Sequence, residues 1–318
     1  MPLLTVKNLK TYFYTYRGVV KAVDDVNLTL EKGVSLGLTG ESGCGKSTLA
    51  YSILRIVPPP GRIIGGKILF GDIDITALNE KELREQIRWK RISMVFQGAM
   101  NALTPVYTIG RQITEALTFH AGMSKEEAAE RTVKLLELVG LEPELAKRYP
   151  HELSGGQKQR AFIAMALTLN PDLVIADEPT TALDVVVQAQ FLNLLKRLVR
   201  DLKMSLILIT HDLSVIAELV DKIAIMYAGK MAERGPSDDI FLQPAHPYTQ
   251  GLLRSIPRLK TTLQISWIPG QPPDLVNPPS GCRFHPRCRF AMDVCRRKEP
   301  VETKLTREHY VTCWLYPS

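Results

Sequence analysis

No stretch of about 18 or more apolar residues occurs in the 318-residue chain, which argues against a membrane-spanning helix. Met1 to Lys10 lacks a charged start followed by a long apolar core, so no secretory leader is expected. The chain is therefore expected in the cytosol or on the cytosolic face of a membrane. Cysteine is scarce, with five residues, and four of them fall between Cys282 and Cys313. Where thiols stay reduced, such clustering favours metal binding or catalysis over disulfides. Internal repeats are absent, and low complexity is confined to the proline-rich stretch from Pro269 to Pro286. Disorder is excluded as well, because 45% hydrophobic and 23% charged residues suffice to bury a full core.

What is present is unevenly placed. Of 21 prolines, twelve lie from Pro236 onward, which with the cysteines marks a boundary near Gly235. Net charge is +7, and residues 282–318 hold eight basic against four acidic residues. A basic balance admits nucleic acid or anionic lipid as partner. Here the excess is modest and localised, so nucleic acid is not expected.

Short alternating runs such as Leu4-Thr5-Val6 and Val26 to Leu30 predict strands of an antiparallel layer. The denser run Val34 to Thr39 leads through a glycine cluster into a helix predicted from Lys46 to about Val57, ahead of Pro58-Pro59-Pro60. Buried-type strands recur at Leu173 to Ala176 and Leu206 to Ile209, the pattern of a mainly parallel sheet covered by helices. From about Thr108 to Leu169 the helical period dominates, as in Ala128 to Val139, and predicts a helical insertion.

Gly40-Glu41-Ser42-Gly43-Cys44-Gly45-Lys46-Ser47 fits the phosphate-binding loop, in the strand–loop–helix context that it requires. Its glycines let backbone N–H groups turn toward phosphate oxygens, and the helix start adds partial positive charge. Lys46 is expected on the outer phosphates and Ser47 on magnesium. Asp177 and Glu178 end an apolar strand; Asp177 suits the magnesium shell and Glu178 the polarisation of an attacking water. Ser154-Gly155-Gly156-Gln157 opens another helix and offers a second anion-accepting terminus, suited to the nucleotide of a partner subunit. Each element alone has a plainer reading: a turn, solvent-facing carboxylates, a helix cap.

Together, over residues 1 to about 235, they resemble the nucleotide-binding subunit of ABC transporters. Gln97, after Ile92 to Phe96, matches the Q-loop glutamine; Thr181-Ala182-Leu183-Asp184 matches the D-loop; His211 matches the switch histidine. The resemblance implies an α/β fold: a P-loop NTPase (RecA-like) core with an antiparallel β layer and a helical insertion at about 98–169, within an ATPase domain at 1–235. It further implies a head-to-tail dimer closing on ATP and Mg2+. The implied catalytic set is Glu178, His211, Gln97 and Lys46. The implied nucleotide contacts are Phe13 (with Tyr16 as alternate), Gly40, Ser42, Gly43, Cys44, Gly45, Lys46, Ser47, Thr48, Gln97, Asp177, Ser154, Gly155, Gly156, Gln157 and Asp184. Ser47, Gln97 and Asp177 are implied magnesium ligands. Gln97 links the site to the membrane subunits, although Gly98-Ala99 stands where the family often has an acidic residue and a proline, before Met100-Asn101.

Pro244-Ala245-His246-Pro247-Tyr248-Thr249, followed by Leu252-Leu253, resembles the C-terminal extension of dipeptide and oligopeptide importer ATPases, here at 236–318. Cys282, Cys288, Cys295 and Cys313 suit an iron–sulfur cluster or zinc, and the absence of any C-x2-C pair leans toward the cluster. The resemblance points to a 4Fe-4S cluster in a small irregular C-terminal metal-binding module. Arg283, Arg287, Arg289, Arg296 and Arg297 are expected to offset its charge or to face lipid or partner subunits. The implied partners are a homologous ATPase subunit, two transmembrane permeases and an external solute-binding protein, with this chain peripheral at the cytoplasmic face. Peptides lead as solute, with oligosaccharides or metal chelates as alternatives.

Overall fold

Alternating and continuous apolar runs build different sheets in this chain. The computed structural model describes residues 1–98, 102–181, 183–255 and 268–316. Its strands are β1 Pro2–Thr15, β2 Gly18–Glu31, β3 Ser35–Thr39, β4 Gly61–Phe70, β5 Ile73–Asp74, β6 Ile92–Val95, β7 Leu173–Asp177, β8 Ser205–Ile209, β9 Lys222–Tyr227, β10 Lys230–Pro236, β11 Glu302–Lys304 and β12 Tyr310–Thr312. Two compact units result: Met1–Thr76 with Leu208–Ser318, and Ala77–Ile207.

In the first unit, β2-β1-β4-β5 form an antiparallel layer. Val26, Leu28 and Leu30 are buried while Asn27 and Thr29 are partly exposed, the two-residue alternation of a half-buried strand. Leu4 faces Leu30 and Val6 faces Leu28 across the β1–β2 pair, so apolar cross-strand contacts hold the register. Strand β3 is buried at all five positions and runs parallel to β9, from Leu36 opposite Lys222 to Thr39 opposite Ile225. The helix Lys46–Ile53 follows β3. It stops about a turn before the predicted Val57, because Arg55 turns left-handed (φ 52°) and the Ile56 N–H closes back on the Tyr51 carbonyl at 2.9 Å. That closure satisfies a terminal carbonyl before the prolines are reached.

The C-terminal segment is less irregular than expected. β12 pairs antiparallel with β10, Glu233 opposite Val311 and Arg234 opposite Tyr310, and β11 pairs with β12. Three-residue strands carry no readable period, so only the tertiary fold reveals them. Within the proline-rich stretch, regular structure amounts to one helical turn, His285–Arg287.

In the second unit β6 and β7 are parallel neighbours, Ile92 opposite Leu173 through Val95 opposite Ala176. Between them run the helices Ile109–Ala121, Lys125–Leu138 and Gly155–Ala166, and no strand among the described residues. Each starts at a side chain that accepts a backbone N–H: Thr108, Ser124 and Ser154. Ile109, Ile113, Leu117, Leu135 and Leu136 are buried along their apolar faces. Each such side chain contributes about 1.5–3 kcal/mol by leaving water. Among the described residues no helix is long and apolar enough to cross a membrane.

Candidate functional site: a phosphate loop and a strand-end carboxylate pair

The loop after β3 is held by its glycines. Gly40 (φ 144°) and Gly45 (φ 107°) take a backbone that L side chains rarely adopt, and a Cβ on either would come within 2.1 Å of a carbonyl oxygen, Met226 and Ala22 respectively. Gly45 precedes the helix Lys46–Ile53, and no side chain caps its start. The uncapped N–H groups and the helix dipole favour an anion there. Lys46 is buried, and its Nζ donates to the carbonyls of Gly40 (2.7 Å) and Glu41 (3.0 Å) and lies 3.6 Å from the Cys44 Sγ. Burial pushes the Cys44 thiol up, against the pull of the Lys46 ammonium, so Cys44 serves as a small neutral residue.

Glu41 belongs to the loop motif, but the sequence assigned it no role. Its N–H donates to the Tyr248 hydroxyl (2.8 Å), and its carboxylate takes a bidentate pair from Arg287, 2.6 Å and 2.9 Å. Tyr248 and Arg287 both lie beyond Gly235, and the phosphate loop is thereby tied to the C-terminal segment. The signal that existed was an acidic residue inside a loop built for anions, which requires a counter-charge. His211 is exposed just after β8, where the N–H of its neighbour Thr210 donates to the Leu38 carbonyl (3.3 Å) near the end of β3.

In the second unit Asp177 ends β7, fully buried, and Glu178 follows with φ 45°. A non-glycine residue in that region stores strain of order 1–3 kcal/mol, found mostly where function demands it. Gln97 and Glu178 are brought together: Gln97 Nε2 donates to Glu178 Oε2 at 2.9 Å, and the Thr181 hydroxyl donates to the same oxygen at 3.3 Å. Ser154 and Gln157 form a reciprocal capping box, Ser154 N–H to Gln157 Oε1 at 2.9 Å and Gln157 N–H to Ser154 Oγ at 3.3 Å. Gly156 allows close packing, since a Cβ there would meet Val187 at 2.8 Å. Asp184 caps the helix Val185–Leu202 through the N–H groups of Val186 (3.1 Å) and Val187 (2.9 Å). Ala182, and the departure at Ala99 to Asn101, lie outside the described residues.

Residues 23–181 match the family model described as ABC transporter, and residues 232–295 match the one described as oligopeptide/dipeptide transporter, C-terminal region. This chain belongs to the ABC transporter ATP-binding family. It is 50% identical over 317 residues to a dipeptide transport ATP-binding protein, DppD, of Bacillus subtilis, covering 98% of this chain and 94% of that one. It is 48% identical over 304 residues to the oligopeptide transport ATP-binding protein OppD of Salmonella typhimurium, covering 94% and 90%. Among solved structures, an ATP-binding cassette captured as a dimer in a post-hydrolysis state with ADP and Pi superposes with TM-score 0.66 at 30% identity, covering 74% of this chain and 98% of that one.

Within this ABC ATPase the aromatic candidates for adenine differ in freedom. Phe13 is half-buried against Gly61, where a Cβ would meet its ring at 2.6 Å, whereas Tyr16 is 99% exposed. In the C-terminal region Cys295 and Cys313 are buried, Cys282 and Cys288 half-buried, and all are free thiols. Burial, then the charge of the other cysteines, pushes Cys282 up to about 12 and Cys313 up to about 11, and raises Cys288. Among the described residues no three His, Cys, Asp or Glu side chains stand close enough to hold one metal ion. Two arginines expected to serve a cluster, lipid or a partner are committed inside instead: Arg283 is buried against the Asp24 carboxylate and Arg287 against Glu41. The sequence could not show this, because their partners lie 259 and 246 residues away.

Proposed function

We propose that this chain is the ATP-hydrolysing subunit of an importer for dipeptides or oligopeptides. The observation that carries the reading is the joining of an intact phosphate loop, in which Glu41 is held by Arg287, to an extension that matches the peptide-transporter C-terminal region. In this reading 1–235 works as the ATPase domain, with its helical subdomain at about 98–169, and 236–318 as the importer-type extension. Lys46 and the loop residues Gly40, Ser42, Gly43, Cys44, Gly45, Ser47 and Thr48 bind the ATP phosphates, while Phe13 stacks on adenine. Ser47, Asp177 and Gln97 supply hard oxygen donors for Mg2+, which offsets phosphate charge. Glu178 orients and polarises water, and His211 contacts the γ-phosphate. Ser154 to Gln157 and Asp184 serve the ATP of a homologous partner subunit, in a dimer that closes on ATP and reopens after hydrolysis. Two permeases and an external binding protein complete the importer, and the chain sits peripherally at the cytoplasmic face.

For the cysteines the reading is a 4Fe-4S cluster. Its support is the four free thiols Cys282, Cys288, Cys295 and Cys313, buried or half-buried in one short segment that holds no C-x2-C pair. The opposed ionisation of the thiols is relieved once a cation neutralises them. Anaerobically purified protein is expected to be brown and to contain iron; colourless protein with stoichiometric zinc overturns this assignment.

Glu178→Gln is expected to abolish ATP turnover while ATP-bound dimers persist on gel filtration. Unchanged turnover removes the ATPase assignment. Uptake of labelled di- and oligopeptides by cells with and without the gene tests the solute.

A further inference from the structure

Arg287 closes a chain of contacts that ends on the phosphate-binding lysine. Its Nη1 and Nη2 meet the two oxygens of Glu41 at 2.6 Å and 2.9 Å, its Nε donates to the Pro269 carbonyl at 2.8 Å, and Nη1 also reaches the Tyr227 hydroxyl at 3.3 Å. Every polar group of Glu41 is engaged: the carboxylate by Arg287, the N–H by Tyr248 at 2.8 Å, and the carbonyl by Lys46 Nζ at 3.0 Å. The guanidinium is 6% exposed and the carboxylate 23%, so the pair is not a solvated surface contact. A bidentate, charge-assisted pair fixes both position and orientation. A carboxylate inside a loop that gathers phosphates otherwise opposes its ligand electrostatically.

We propose that Arg287 is a positioning residue for ATP binding: it neutralises and orients Glu41, so that the loop presents no bare carboxylate and the Glu41 carbonyl stays aligned on Lys46. Arg287 stands between Cys282 and Cys288, so its contact with Glu41 joins the cysteine-bearing part of the extension to the phosphate loop. The inference rests on residues 40–47 being the ATP phosphate site.

The test is the Kd of full-length protein for a fluorescent ATP analogue, mant-ATP, at low and high salt, with thermal melting as a folding control. Arg287→Ala is expected to weaken binding about tenfold, the scale of one lost charge-assisted contact. Arg287→Lys, which keeps the charge and loses the fork, is expected to fall between it and wild type. Glu41→Gln alone is expected to weaken binding less than Arg287→Ala, and the double variant Glu41→Gln/Arg287→Ala to recover most of the affinity lost in Arg287→Ala. The Arg287→Ala deficit is expected to shrink as salt screens the exposed carboxylate. Equal affinity in Arg287→Ala and wild type overturns the proposal, as does a double variant no better than Arg287→Ala. Should Arg287→Ala melt far below wild type, Arg287→Gln with and without Glu41→Gln gives the same comparison. Wild-type protein that binds no mant-ATP defeats the ATPase reading itself, an outcome distinct from both.

Discussion

The side-chain amide of Gln97 donates to Oε2 of Glu178 at 2.9 Å, and with the Thr181 hydroxyl it fixes one oxygen of that carboxylate. The backbone beneath is left-handed at φ 45°, so the side chain is aimed by a strained main chain and by a hydrogen bond from the Q-loop. Movement of the Q-loop therefore moves the carboxylate that is proposed to orient water.

Gln97→Ala is expected to lower kcat for ATP by about tenfold, because Glu178 loses a donor that orients it. The Kd for nucleotide is expected to change less than kcat, which steady-state kinetics beside equilibrium binding will show. A variant that loses affinity and keeps kcat contradicts the positioning role.

Asp24 is the hub of a buried network in the first unit. Tyr12 donates to it at 2.6 Å, Lys230 lies 3.6 Å away, and Arg283, itself bonded to the Ala228 carbonyl, pairs with it. Burial pushes the Asp24 carboxyl up, but the Tyr12 hydroxyl and the cations of Lys230 and Arg283 outweigh it and hold the group below the usual range. The stabilisation is therefore complete above the unfolded value of about 4 and is lost as pH falls below it. Arg283→Met is expected to cost about 3 kcal/mol by stranding a buried carboxylate, and Asp24→Asn added to it is expected to return part of that loss. Urea unfolding of the single and double variants measures both.

His246 predicts a second pH dependence. Burial pushes its ring down to about 4, against the opposing charge of Glu233, while its Nδ1 accepts the Tyr248 N–H at 3.0 Å. Between about pH 6.5 and 4 the unfolded chain binds a proton that the folded chain refuses, so stability falls by about 3 kcal/mol across that window as pH drops. His246 caps the helix Pro247–Arg254; Asn is a good cap that does not titrate, so His246→Asn is expected to retain that helix start and flatten this slope. Thermal melting of both proteins at pH 7.5 and pH 5 reads the difference.

The nucleotide motifs were legible in the chain because their chemistry is local. Gly40 to Ser47, Asp177-Glu178 and Ser154 to Gln157 act through backbone turns, strand ends and helix starts that a few consecutive residues specify. Buried strands such as β3 and β7 were legible for the same reason, since a continuous apolar run admits few other solutions. The end of the helix Lys46–Ile53 was not, because a left-handed Arg55 leaves no compositional mark. The strands β11 and β12 were hidden too, being too short for a period and formed by pairing, β12 with β10 and β11 with β12. Long-range charge pairing is the largest element that only the folded chain decides. Any of six arginines in the last 37 residues could have answered Glu41 or Asp24, and electrostatic attraction carries no sequence register. Folding selects Arg287 and Arg283 by burying them against those carboxylates. That burial turns a basic tail, which composition offers to lipid or partners, into an internal support of the phosphate loop.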